Sequence, residues 1–256
     1  MVNTDDKYIK LVLDISKEIS EYLNEDALVR FAEKHNIKKE YSKLELKQEV
    51  VAKRSLFFSK KKKYALHIVN REGQKRDEYD IKGLVLRRSE YPVYTKDCIS
   101  KILDMILHHE KISFKGIAEY VSKINEDMLD RIYRGDKSVC RTSPYKDPKS
   151  YKKIPFHVIG AQLWNMLEYN YFVPGMRGYL FKIKGIDIMS APKHVADNIH
   201  KMTPKNTCIV IPYEEPRLPD YYIIDVDSML DYCWTKRYME LLEPVMINME
   251  KYMKGL

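Results

Sequence analysis

Four consecutive lysines, Lys60, Lys61, Lys62 and Lys63, stand directly before an apolar run in the stretch SKKKKYALHIV. Neighbouring ammonium groups repel one another, so such a run is favoured where a negative group lies close by. Each phosphate that a lysine neutralises releases a bound counterion, and a lysine stem can lie along a groove while its head reaches a phosphate oxygen. The run therefore predicts phosphate contacts, and the alternative is a charged run that faces solvent.

A second basic group closes the stretch IKGLVLRRS. Residues 81–86 have the apolar character of a strand, and Arg87, Arg88 and Ser89 follow it. These side chains offer the same phosphate chemistry as the lysines. Two basic segments at strand ends of one small sheet favour a nucleic acid as the partner.

Carboxylates near the beginning of the chain are candidate metal ligands. Asp5 and Asp6, in VNTDDKYIKLV, precede residues 8–12, which have a β-like pattern. Two-metal phosphoryl transfer needs carboxylates at the edge of a sheet, and magnesium takes such hard oxygen ligands. Glu45 and Glu49 are weaker candidates. The alternative is a polar segment without a metal.

One histidine lies near the start of an apolar helical stretch, IPFHVIGAQLWNML. His157 is either a packing or capping residue or a ligand for a phosphate at the helix N-terminus. The motifs GxxxxGK[ST], HExxH, GxSxG and GxGxxG are absent from the sequence. Their absence gives no support to a self-contained hydrolase or nucleotide-binding enzyme.

Composition agrees with a polyanionic partner. The 256 residues include 45 basic and 37 acidic side chains, a formal charge of +8, which favours nucleic acid first and an anionic membrane second. Cys98, Cys140, Cys208 and Cys233 form no CxxC pair, which disfavours zinc, and so few cysteines in so long a chain suit a reducing compartment. The polar start MVNTDDKYIK does not resemble a signal peptide, and no apolar run is long enough for a membrane span. We therefore expect a cytoplasmic protein.

The elements that must position these residues change in character near residue 92. Before it, the spacing of Ile15, Ile19 and Tyr22 predicts a helix over residues 14–35, and a turn is predicted at Gly73. The strands predicted there are 44–52, 56–58, 64–69 and 81–86. After it, helical spacing predicts helices from residue 94 to a stop at Gly135, in FHVIGAQLWNMLEYN, and in a long final helix that Pro244 bends or interrupts. Residues 136–154 are predicted as a polar linker, and GYLFKIKGIDIM and NTCIVIP as short strands.

The order of these motifs resembles the C-terminal part of a family B DNA polymerase, most of all the replicative enzymes of tailed phages. NTDDKYI resembles the metal-binding D-T-D-S hairpin of the palm, KKKKYAL the K-K-[RK]-Y motif, and IKGLVLRRSEYP the G-[LI]-E-x-x-[RK]-[RS]-S-x-x-P segment. IPFHVIGAQLWN resembles the start of a thumb helix, and CIVIPYEEPRLPD the last thumb stretch. The similarity covers nearly the whole chain, and the ordered set is more specific than any one motif.

The resemblance implies a fold and a role for each matching residue. It implies an α+β chain: a distal palm subdomain at 1–92, with a small antiparallel sheet and a packed helix, and a mostly helical thumb subdomain at 93–256. Asp5 would be a catalytic ligand of two magnesium ions, with Asn3 in the place of another aspartate. The implied contacts with primer–template DNA are Lys61, Lys62, Lys63, Tyr64, Arg87, Arg88, Ser89 and His157.

The sequence also departs from the family pattern. Asn3 keeps an oxygen ligand but loses a charge, which would lower metal affinity, and Asp6 replaces the usual serine. The motifs D-x-x-S-L-Y-P and K-x-x-x-N-S-x-Y-G and an exonuclease signature are absent. The resemblance therefore implies one chain of a split polymerase in a phage-infected cell, whose partner carries the fingers, the rest of the palm and an exonuclease domain. A sliding clamp is a further candidate partner, although KYMKGL shows no evident clamp-binding peptide.

Two alternatives remain open. The chain could be a non-catalytic duplex-DNA-binding or processivity protein derived from a palm and thumb. Alternatively, its basic surface could bind acidic proteins or membranes.

Overall fold

The computed structural model describes most of the chain. Its backbone covers residues 4–38, 41, 43–109, 111–168, 171–203 and 207–254, with side chains between residues 7 and 246. The chain divides into two compact units, Met1–Lys82 and Gly83–Leu256. Helices and small antiparallel sheets make up both, which confirms the predicted α+β class. The palm (1–92) and thumb (93–256) subdomains stay a prediction.

The first unit begins with helix where a strand was predicted. The segments are α1 (Thr4–Tyr22), a π-helical turn (Leu23–Ala27) and α2 (Leu28–Lys34). The helix predicted over 14–35 is confirmed, but the strand predicted at 8–12 is wrong. The reason is that Tyr8, Leu11 and Val12 continue the helical spacing of Ile15 and Ile19 towards the N-terminus.

A three-stranded antiparallel sheet completes the first unit. Its strands, in the spatial order β1-β2-β3, are β1 (Val50–Phe57), β2 (Tyr64–Arg71) and β3 (Gln74–Lys82). The predicted turn at Gly73 is confirmed: Glu72 and Gly73 have φ of 50° and 82° and connect the paired residues Arg71 and Gln74. Two positive φ values in a two-residue loop match the twist of the strands they join.

Two predicted strands of this region have different bounds. Pairing begins at Val50, so residues 44–49 of the strand predicted at 44–52 lie outside it. The strand predicted at 81–86 is wrong beyond Lys82, because Gly83 has φ of 72° and a 3-10 helix, Val85–Arg87, follows. This left-handed backbone favours glycine and turns the chain out of the strand.

The second unit contains the predicted helices. They are α3 (Val93–Leu107), α4 (Phe114–Tyr133) and α5 (Phe156–Leu167). The predicted stop at Gly135 is confirmed: Gly135 has φ of 64°, and a Cβ there would lie 3.0 Å from the Leu218 carbonyl oxygen.

A second antiparallel sheet lies in this unit, and part of it was missed. The strands are β4 (Thr142–Pro144), β5 (Arg177–Ile186), β6 (Cys208–Ile211) and β7 (Tyr222–Ile224), with the order β4-β5-β6 and β7 paired to β5. The remaining helices are α6 (Lys193–Asn198), α7 (Val226–Leu230) and α8 (Lys236–Lys254), with a π-helical turn, Asp231–Thr235, between α7 and α8. The two predicted short strands correspond to β5 and β6, whereas the predicted linker at 136–154 contains β4 and short 3-10 turns. Pro244 lies inside α8 without ending it.

The core of the second unit forms where α5 packs on β6. Trp164 and Trp234 are each at most 1% exposed. Gly160 permits the close approach, since a Cβ there would lie 3.1 Å from Cys208 Sγ. Among the described residues, none of the helices combines the length and the apolarity needed to cross a bilayer.

Candidate nucleic-acid interface

The predicted phosphate-binding lysines lie in a hairpin turn rather than in a strand. Residues 58–63, which we call the lysine turn, connect β1 to β2, and the Phe58 N–H donates to the Lys63 carbonyl oxygen across it (3.2 Å). Lys60, Lys61 and Lys62 are exposed. Lys62 has φ of 59°, which is uncommon for a residue with a side chain. Because this conformation is unfavourable by itself, the paired strands of the hairpin must hold the turn in place. Three ammonium groups are thus presented together at one end of the sheet.

Lys63 and Tyr64 lie below this exposed group. Lys63 is only 7% exposed, and its Nζ lies 5.0 Å from the centroid of the Phe58 ring. The Tyr64 hydroxyl donates to Asp80 Oδ2 (3.2 Å), and Lys82 Nζ lies 5.3 Å from the Tyr64 ring. The structure therefore gives both residues packing roles in the hairpin, and their contact with DNA stays a prediction.

The second unit contains the predicted contact residues Arg87, Arg88 and Ser89, which come a few residues after β3 in the sequence. All three are exposed. The prediction that they close a strand is wrong, because the chain forms a 3-10 helix there. Arg87 closes the 3-10 helix, and the Arg87 and Arg88 N–H groups donate to the carbonyl oxygens of Leu84 and Val85 (3.1 and 3.0 Å). The turn places Ser89 at the edge of a cleft.

This cleft, which we call the basic cleft, brings Ser89 and His157 together. It has a volume of about 440 Å³ and is lined by Ser89, Glu90, Arg141, Thr142, Ser143, Pro144, Phe156, His157, Arg177 and Tyr232. His157 is the second residue of α5 and half-buried. Burial is the main cause that lowers the pKa of His157 from its ordinary value, and the charge of the nearby Arg141 guanidinium lowers this pKa further. Two segments predicted separately to contact DNA thus share one site.

Sequence reasoning missed three cationic residues of the basic cleft and its surroundings. Arg141 immediately precedes β4, Arg177 begins β5, and Lys182 lies along β5 with its Nζ 4.1 Å from the Phe156 ring centroid. Their positions in the sequence carry no motif. The basic content of the stretch predicted as a linker was a signal for Arg141, but not for Arg177 or Lys182.

The side chains of the predicted magnesium ligands Asn3 and Asp5 lie outside the described residues. Asp5 lies in the first turn of α1, so residues 4–9 of the stretch that resembles the metal-binding hairpin are helical. Within the described part of the chain, no three carboxylates approach closely enough to share an ion, and Glu45 pairs with Lys47 (3.1 Å). The metal-binding roles of Asp5 and Asn3 therefore stay predictions.

Comparison with known proteins gives one result that bears on this interface. No curated protein matches the chain. The family model described as DNA polymerase family B matches residues 5–159, which is more than half of the 256 residues. The matched region contains the lysine turn, residues 87–89 and His157. The chain therefore belongs to DNA polymerase family B.

Proposed function

We propose that the chain is the distal palm and thumb of a family B DNA polymerase, and that it holds the primer–template duplex by its sugar-phosphate backbone. The observation that carries the proposal is the lysine turn, in which Lys60, Lys61 and Lys62 are exposed side by side within the region that matches the family. Lysine heads on long stems neutralise phosphates without reading bases. A replicative polymerase must accept every sequence, so backbone contact suits this activity.

The proposal includes a division of labour between chains. The motifs of this chain resemble those of the palm and thumb, so the fingers, the other catalytic aspartate and the exonuclease domain would come from a partner chain. Polymerases of this family use divalent metal ions, and Asp5 would contribute one ligand to a magnesium site completed by the partner. The chain by itself would bind duplex DNA but extend no primer.

One experiment tests this assembly. The purified chain is mixed with a polypeptide that carries the D-x-x-S-L-Y-P motif and whose gene lies beside the gene of this chain. The mixture is assayed for co-elution and primer extension. Co-elution with extension, and no extension by either chain separately, supports the proposal. Duplex binding by the chain without extension by any such mixture contradicts the catalytic role.

A second candidate function is favoured by one observation. Helix α1 occupies the segment that resembles the metal-binding hairpin. A palm and thumb without a working metal site would act as a duplex clamp or processivity element. This candidate predicts that the chain binds duplex DNA and stimulates extension by a complete polymerase, with Asp5→Ala as active as the wild-type chain.

A further inference from the structure

The basic cleft has the shape and charge of an anion-binding site. Its lining includes two arginines, Arg141 and Arg177, and one carboxylate, Glu90. Lys182 adds a third cation beside it, because its Nζ lies near the Phe156 and Tyr232 rings (4.1 and 5.6 Å from the centroids). Positive charge prevails in a cleft of about 440 Å³, which is large enough to admit a phosphate group together with part of its sugar.

Aromatic rings fix the orientation of Arg141. Its guanidinium carbon lies 4.3 Å from the Tyr91 ring centroid and 4.6 Å from that of Tyr232. Arg141 Nη2 also lies 3.5 Å from Glu90 Oε1. A guanidinium that packs against two aromatic rings and pairs with a carboxylate has little side-chain entropy left to lose on binding an anion. Burial raises the pKa of Tyr232 to about 12, so this hydroxyl stays neutral at physiological pH.

Some polar groups of the cleft have no hydrogen-bond partner among the described residues. Arg141 Nε and His157 Nε2 are buried atoms without a hydrogen-bond partner among the described residues. Pro155, the N-cap residue of α5, offers no side-chain acceptor to the first N–H groups of that helix. Arg177 donates to Thr142 Oγ1 (3.1 Å), which directs one edge of its guanidinium and leaves other N–H groups to donate elsewhere. A buried donor without an acceptor costs free energy.

We propose that the basic cleft is a phosphate-binding site in which Arg141 and Arg177 hold one phosphate group, aided by the N-terminus of α5. The proposal rests on the proposed function for the source of that group, which is a backbone phosphate of the bound duplex. The cleft thereby adds a contact in the second unit to those of the lysine turn. Phe156 and Tyr232 would lie against the sugar that carries the phosphate.

The test measures duplex affinity of the full chain by fluorescence anisotropy, with variants inside and outside the cleft. Arg177→Gln removes a charge that contacts the phosphate, and we expect binding to weaken about tenfold or more, as for loss of a charge-assisted hydrogen bond. Arg134→Gln is the matched control, because Arg134 is an exposed arginine of the same unit that pairs with Asp130 outside the cleft. Ser89→Asp, at an exposed position, adds a negative charge at the cleft edge and should weaken binding.

A second arm identifies the source of the phosphate. The ring signals of His157 are followed by NMR while inorganic phosphate or the duplex is added at constant ionic strength. Shifts with both ligands, absent in Arg177→Gln, support the proposal. Shifts with inorganic phosphate in a chain that binds no duplex would support the anion site while contradicting the proposed function. Duplex binding that Arg177→Gln and Ser89→Asp leave unchanged, with no phosphate-dependent shift of His157, overturns the proposal.

Discussion

Replacing the exposed lysines of the lysine turn should reduce both the affinity for duplex DNA and its dependence on salt. The variant is Lys60→Gln, Lys61→Gln and Lys62→Gln together, because glutamine keeps length and polarity while it removes the charge. Lys63 is left unchanged, since its buried side chain lies against Phe58 and belongs to the hairpin. Any loss of binding then reports on the three exposed ammonium groups.

The magnitude follows from counterion release. Each phosphate contact contributes about 0.9 to the slope of log K against log salt concentration, so losing three contacts lowers that slope by about 2.7. Between 50 and 200 mM salt, the wild-type chain should therefore lose about 40-fold more affinity than the variant does.

The assay is a salt titration of fluorescence anisotropy with a labelled primer–template duplex. The control variant replaces Lys7, Lys10 and Lys34 with glutamine, which makes the same charge change at exposed positions of the helices. The reasoning is refuted if the turn variant and the control have the same slope and the same affinity.

Three further predictions follow from particular contacts. Gly178→Ala should destabilise the chain by roughly 1–3 kcal/mol, because a Cβ there would lie 2.5 Å from the Ile211 carbonyl oxygen. The control Gly185→Ala should cost far less, because no atom lies within 4 Å of the position of its Cβ. Equal unfolding midpoints of the two variants in denaturant would show the packing argument to be wrong. The pKa of His157 is lower in the folded chain, so the unfolded chain binds more protons and stability should fall as pH drops through about 6.5. His157→Gln should remove that part of the pH dependence, and identical stability profiles from pH 7.5 to 5.5 would contradict the assignment. In the assembled polymerase, Asp5→Ala should abolish primer extension while leaving duplex affinity nearly unchanged, and normal extension would rule out the metal role.

Periodicity predicted the elements that carry their own signal. Helices α3 and α4 are marked by apolar residues at helical spacing and by Gly135, whose positive φ ends the second helix. The strand β3 was missed over most of its length because QKRDEYD is almost entirely polar. Its position is set by the tight turn at Gly73 and by hydrogen bonds to β2, which are properties of the paired hairpin rather than of the strand.

The candidate interface was predictable only where charge is local in sequence. The lysine turn is a consecutive run, so its exposed ammonium groups could be predicted, although burial of Lys63 depends on the conformation of the turn. The basic cleft could not be predicted as a whole, because Ser89, Arg141, His157 and Arg177 come from four separate segments. They are brought together by the pairing of β4 with β5, by the position of α5 and by the hydrogen bond from the Thr142 N–H to the Glu90 carbonyl oxygen (2.8 Å).

The most direct test of the central claim is the affinity of the wild-type chain for duplexes of equal length and unrelated sequence, measured over a range of salt concentrations. Backbone recognition predicts affinities that agree within about threefold between sequences and fall steeply as salt increases. No binding at 50 mM salt, or a preference of about a thousandfold for one sequence, as base-specific proteins show, would contradict it.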